Sequence, residues 1–125
     1  MQARDFRRIA LAMDGSIESA HMGHPDFRAN GRIFATLSAD NTQGMVKLSP
    51  PQQDQFMRAA PGTFVPASGA WGRQGCTMVQ LQSVDEETLG EAMTLAWRET
   101  TARRPPRTRT PGARATRKAV RRPRR

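Results

Sequence analysis

His21, His24 and Asp26 place two imidazoles and a carboxylate within six residues, the best candidate for chemistry in the sequence. A His-x-x-His pair beside a carboxylate can hold a transition metal when three or four ligands converge. No helical periodicity here would present both histidines on one face, so we expect a strand-and-turn segment. Asp26 would cap the turn, the histidines would hydrogen-bond locally, and no metal would be held. Cys76 is the only cysteine and cannot form an internal disulfide. A nucleophilic thiol needs a base beside it and an oxyanion site. Gly72 and Gly75 make the neighbouring backbone permissive, but nothing in the spacing ties Cys76 to either histidine. The expectation is a half-buried structural thiol. No phosphate-cradling glycine loop of the P-loop or dinucleotide type is present, and no paired carboxylates stand out. The chain therefore reads as non-enzymatic, with no cofactor.

Charge carries a stronger signal than any of these groups. Of 20 Lys and Arg, eleven lie at or after residue 103: Arg103, Arg104, Arg107, Arg109, Arg114, Arg117, Lys118, Arg121, Arg122, Arg124 and Arg125. No acidic residue follows Glu99. Residues 1–102 are left with nine basic against eleven acidic groups, so the basic pI of about 11.6 belongs to the C-terminal segment alone. That segment holds four prolines and, in Val120, one sizeable aliphatic residue. It cannot bury enough apolar area to offset the entropy of ordering it, and its like charges repel. We expect a disordered basic tail over residues 103–125 and a folded domain over residues 1–102. Arginine pairs with phosphate through two parallel hydrogen bonds and stacks on bases. Lacking a scaffold, such a tail contacts phosphates rather than base edges. The expected partner is nucleic acid, duplex DNA bound without sequence specificity; the alternative is an acidic protein partner. A solubilising extension is the bland reading.

Within the domain, Arg28, Arg32, Lys47 and Arg73 fall on expected strands or loops and could add a basic patch. Scattered solvated charges are the simpler reading. Trp97 lies on an apolar helix stripe. Trp71 sits between glycines in a loop, either as a lid over the core or as an exposed stacking residue. The lone cysteine, the lack of an apolar run of about 18 residues and a polar N-terminus point to a soluble cytoplasmic protein, with nucleoid association open and no membrane partner.

Helices and strands must position these groups. Phe6, Ile9, Ala10 and Met13 recur at helical spacing, and Asp14-Gly15 ends that helix. Residues 16–25 read as extended, with a turn around Gly23 to Asp26. Asn30-Gly31 signals a two-residue hairpin between Asp26–Ala29 and Arg32–Leu37. Gly44–Leu48 reads as the next strand. Ser49-Pro50-Pro51 opens a helix, with serine as N-cap and proline in its first turn. Thr63–Ala67 is a brief extended piece, residues 69–75 a turn-rich connection, and Cys76–Gln82 a strand with Thr77, Val79 and Leu81 on one face. Ser83-Val-Asp-Glu86 has capping-box spacing, and Leu89, Ala92, Met93, Ala96 and Trp97 form the stripe of the last helix. The order argues for an α+β fold, α-β-β-β-α-β-β-α, with helices on an antiparallel sheet.

These residues resemble the MmcQ/YjbR family of small bacterial proteins. The resemblance spans the domain through Phe6-Arg7-Arg8-Ile9-Ala10-Leu11, the stretch from His21 to Arg28, Ile33-Phe34-Ala35-Thr36-Leu37, Met45-Val46-Lys47-Leu48, Ala70-Trp71-Gly72 and Ala96-Trp97-Arg98. It implies a two-layer α+β fold with about five antiparallel strands, similar to secretion-chaperone-like folds. The family is usually described as DNA-binding, which the resemblance extends to this chain as an expectation without naming base-reading residues. A chaperone-like interaction module is the alternative function. The arginine-rich tail lies outside the family pattern.

Overall fold

The structure, a computed structural model, describes residues 1–21 and 23–102. The tail expectation, with its eleven basic residues, lies outside the described residues.

Six strands form one antiparallel sheet: β1 (Ser16–His21), β2 (His24–Ala29), β3 (Arg32–Leu37), β4 (Gln43–Lys47), β5 (Phe64–Pro66) and β6 (Cys76–Gln80). Their spatial order is β1-β2-β3-β4-β6-β5. The helices are α1 (Ala3–Leu11), α2 (Pro50–Ala59), α3 (Gly69–Arg73) and α4 (Glu86–Ala102). Helix α4 packs across β2, β3 and β4, α1 packs on α4 and β1, and α2 packs on β5. The core between the layers includes Phe6, Phe27, Leu37, Val46, Val79, Leu89 and Met93, all fully buried. The rings of Phe6 and Phe27 are 5.9 Å apart, tying α1 to the sheet, and Phe56 and Phe64, 5.1 Å apart, tie α2 to β5.

The expected two-layer α+β class is the one observed. The sheet gains a strand over the expected five because residues 16–21 pair along their whole length with β2, from Ser16 opposite Ala29 to His21 opposite His24. Edge position explains the weak signal, since β1 is solvated enough to carry exposed Ile17 and an otherwise polar sequence. The Asn30-Gly31 hairpin forms as expected, with both residues at positive φ, 57° and 77°. Beyond it β3 carries a bulge: Phe27 faces Ala35 while Arg28 faces Ile33, so Phe34 is the extra residue. Residues 69–73 are a short helix rather than an irregular connection.

Ser49 caps α2 by accepting from the Gln52 N–H, with Pro50 in the first turn. At α4 the expected capping serine is displaced. Asp85 accepts from the Thr88 N–H at 2.7 Å, while Ser83 Oγ lies 2.9 Å from Thr63 Oγ1 beside β5. A carboxylate is the stronger acceptor for a helix N-terminus, and Ser83 meets its own need across the loop. Helix α4 buries Leu89, Ala92, Met93 and Ala96 as its stripe foretells. Trp97 packs at the rim of the core, its indole Nε1–H donating to the Asp14 carbonyl at 2.8 Å. Among the described residues, no helix is long and apolar enough to cross a membrane.

Three carboxylates serve as local staples. Asp5 accepts from the Gln2 N–H, Asp40 from Ser38 and Thr42, and Asp85 from Thr88. These hydrogen bonds hold each pKa below the ordinary value of 3.8. A depressed native pKa means that the unfolded chain binds more protons, so this stability is present above the ordinary value and is lost as pH falls through the native ones. The melting temperature is therefore expected to hold level near neutrality and fall below about pH 4. An unchanged melting temperature at pH 3 would contradict it.

Candidate nucleic-acid interface

The four candidate cations of the folded domain, Arg28, Arg32, Lys47 and Arg73, meet different fates. Arg28 is neutralised by its neighbour on the same face of β2: Nε donates to Asp26 Oδ1 at 2.9 Å and Nη2 to Oδ2 at 3.2 Å. The carboxylate raises the Arg28 pKa. Asp26 itself is buried within the strand. It pairs with a guanidinium inside the sheet, which corrects the expectation that it caps a turn. This ion pair turns a would-be phosphate contact into a structural one.

Arg32 and Lys47 come together. Arg32 opens β3 just after the hairpin, and Lys47 closes β4 opposite Cys76. Both line a cavity of about 370 Å³ whose other walls include Trp71, Cys76, Glu99 and Thr100. These residues come from β3, β4, α3, β6 and α4. The cavity also touches the last turn of α4, which ends at Ala102, one residue before the basic segment starts. Arg73 sits exposed on the same short helix as Trp71.

Helix α3 is held by close backbone packing. A Cβ at Gly72 would run into the Ala67 carbonyl oxygen, so only glycine allows this approach. The Gln53 amide donates from α2 to the Gly72 carbonyl at 3.0 Å and to the Cys76 carbonyl at 3.1 Å. The helix is fixed, yet Trp71 is 63% exposed. Trp71 is thus exposed rather than a lid over the core.

Cys76 is more buried than half-buried. Burial pushes its thiol pKa up, and Lys47 pulls it down by less. The thiolate is the reactive form, so Ellman's reagent at pH 8 is expected to react with the native protein at least about tenfold more slowly than with the denatured chain. Equal rates would show an activated thiol. His24 is exposed and stands opposite His21 on β1. Asp26 is engaged by Arg28. Among the described residues, no group of three His, Cys, Asp or Glu side chains could hold a metal ion.

A larger groove of about 730 Å³ runs between α2 and α4, with Phe56, Leu95, Glu87, Glu91 and Arg98 among its walls. Neither this groove nor the part of Glu99 and Thr100 in the smaller cavity was legible in the sequence. Both arise where separate elements meet, and no local spacing encodes them. The one hint is that Glu99 is the last acidic residue before the basic run.

No curated protein matches the chain. The solved structure of a Deinococcus radiodurans protein, described as a DUF419 domain, is similar in fold with a TM-score of 0.70. It is 21% identical and covers 81% of this chain and 80% of its own. The YjbR family model matches residues 11–99, from the last turn of α1 to the last turns of α4. The chain belongs to the YjbR family.

Proposed function

We propose that this YjbR-family protein is a non-catalytic, sequence-nonspecific DNA-binding protein whose arginine-rich C-terminal segment contacts phosphates. One observation carries the reading: eleven cations and no carboxylate side chain lie beyond residue 102, on a domain that is otherwise slightly acidic. Cation density of that order releases condensed counterions when laid along a phosphate backbone. A stretch of 23 residues has contour length enough to follow several base pairs. Arg32, Lys47 and Arg73 extend the basic surface on the domain, and Arg28 does not, because Asp26 engages it. The setting for such a protein is the bacterial cytoplasm, at the chromosome. The test is duplex binding by the full chain across a salt series, with steep weakening as salt rises. Salt-insensitive binding, or none, would overturn the reading.

A second reading, a chaperone-like protein-interaction module whose basic C-terminal segment docks an acidic partner, is favoured by the largely apolar outer face of the sheet. Thr36, Met45, Met78 and Val65 form a cross-strand row there, each only half-buried. Binding to poly-glutamate without binding to duplex DNA at the same salt would select it.

A further inference from the structure

We infer that Trp71 and its cavity bind an unpaired base with a flanking phosphate, so that the folded domain grips single-stranded DNA in a way that it cannot grip a duplex. This deepens the proposed function and rests on it. Tryptophan is mostly covered in folded chains, and an indole that is 63% exposed leaves apolar surface in water. That surface suits a flat partner. Base–aromatic stacking needs an accessible face on both sides, and every base offers one once it is unpaired. In a duplex the base faces are stacked on one another and out of reach.

The backbone that carries Trp71 is held on two sides, so little backbone ordering remains to be lost on binding. The backbone approach barred to any Cβ at Gly72 locks the helix on one side. The two hydrogen bonds from Gln53 lock it on the other. Arg32 and Lys47 stand on strands of the same sheet, so their backbones are equally fixed. The wall composition separates this ligand from a free anion. Two cations, Arg32 and Lys47, line the cavity beside an indole, which suits one phosphate joined to a stacked ring. Glu99 and Thr100 belong to the last turns of α4, so a strand held at Trp71 lies beside the end of that helix.

The experiment compares the full chain with Trp71→Ala and Trp71→Phe on oligo-dT and on a duplex of equal length, at roughly 200 mM salt to mute phosphate contacts. Stacking on an aromatic side chain contributes enough that Trp71→Ala should weaken oligo-dT binding about tenfold. Duplex affinity should be unchanged, and Trp71→Phe should retain most of the oligo-dT affinity because it keeps a ring. The exposed site makes an unchanged melting temperature the control for folding. Unchanged oligo-dT affinity in Trp71→Ala would overturn the inference and leave the proposed function standing. Equal weakening on both DNAs would overturn the single-strand preference. Failure of the full chain to bind either DNA at any salt would overturn the proposed function and this inference with it.

Discussion

Deleting residues 103–125 is expected to remove nearly all salt-sensitive duplex binding while leaving the domain folded. The described core runs from Phe6 to Ala96 and α4 closes at Ala102, so the deletion takes nothing from that packing. If about six of the eleven cations contact phosphates, the log–log salt slope of the full chain is roughly −5. Affinity then falls on the order of a thousandfold between about 50 and 200 mM salt. The truncated domain, with nine basic and eleven acidic groups, should show a slope near zero on duplex. A companion chain with the ten tail arginines replaced by glutamine keeps the length and removes most of the charge. It should behave like the truncation. Were either variant to bind duplex as tightly and as salt-dependently as the full chain, the tail would not be the phosphate-contacting element, and the sheet face or the Trp71 cavity would have to be.

The second large effect is on stability. Gly75→Ala is expected to destabilise the domain by about 3–5 kcal/mol, enough to lower the melting temperature by roughly 15–30 °C or to prevent folding. Two causes act together. Gly75 has φ +110°, which side-chain-bearing residues rarely adopt, and a Cβ there would overlap the Leu48 carbonyl oxygen. Neither atom is a flexible tip. The Leu48 N–H donates to the Gly75 carbonyl at 3.2 Å, so separating the two backbones breaks the contact that starts the β4–β6 pairing. Gly62→Ala isolates the conformational part, because Gly62 has φ +83° and a methyl group there would meet no atom within 4 Å. It should cost about 1 kcal/mol. Thermal or urea unfolding of the two variants decides the matter. Equal, small losses in both would mean that the Leu48–Gly75 approach relaxes freely.

Gly75 also shows where a local reading stops. By sequence, Gly72 and Gly75 are permissive backbone near a cysteine. In the fold, each is required by a carbonyl from elsewhere in the chain, Ala67 for Gly72 and Leu48 for Gly75. The same division separates the two helix starts. Ser49 caps α2 because serine followed by proline is a signal complete within about four residues. At α4 the local spacing points to Ser83, yet Asp85 caps the helix while Ser83 bonds to Thr63, 20 residues away. Strand β1 is legible only as extended chain because an edge strand with few apolar residues owes its structure to β2 rather than to its own pattern.

What the sequence determined by itself is whatever short range and composition decide. The Asn30-Gly31 turn, the apolar stripe of α4, the α+β class and the segregation of eleven cations beyond residue 102 are of this kind. Turn geometry, helical period and net charge need no distant partner. Tertiary structure alone decided which charges remain for a ligand. It closed Arg28 onto Asp26, brought Arg32 and Lys47 to one cavity, and left Trp71 exposed above it. Those outcomes depend on strand pairing and on backbone approaches between residues far apart in the chain, and a side chain's neighbours across such distances are set by packing rather than by spacing.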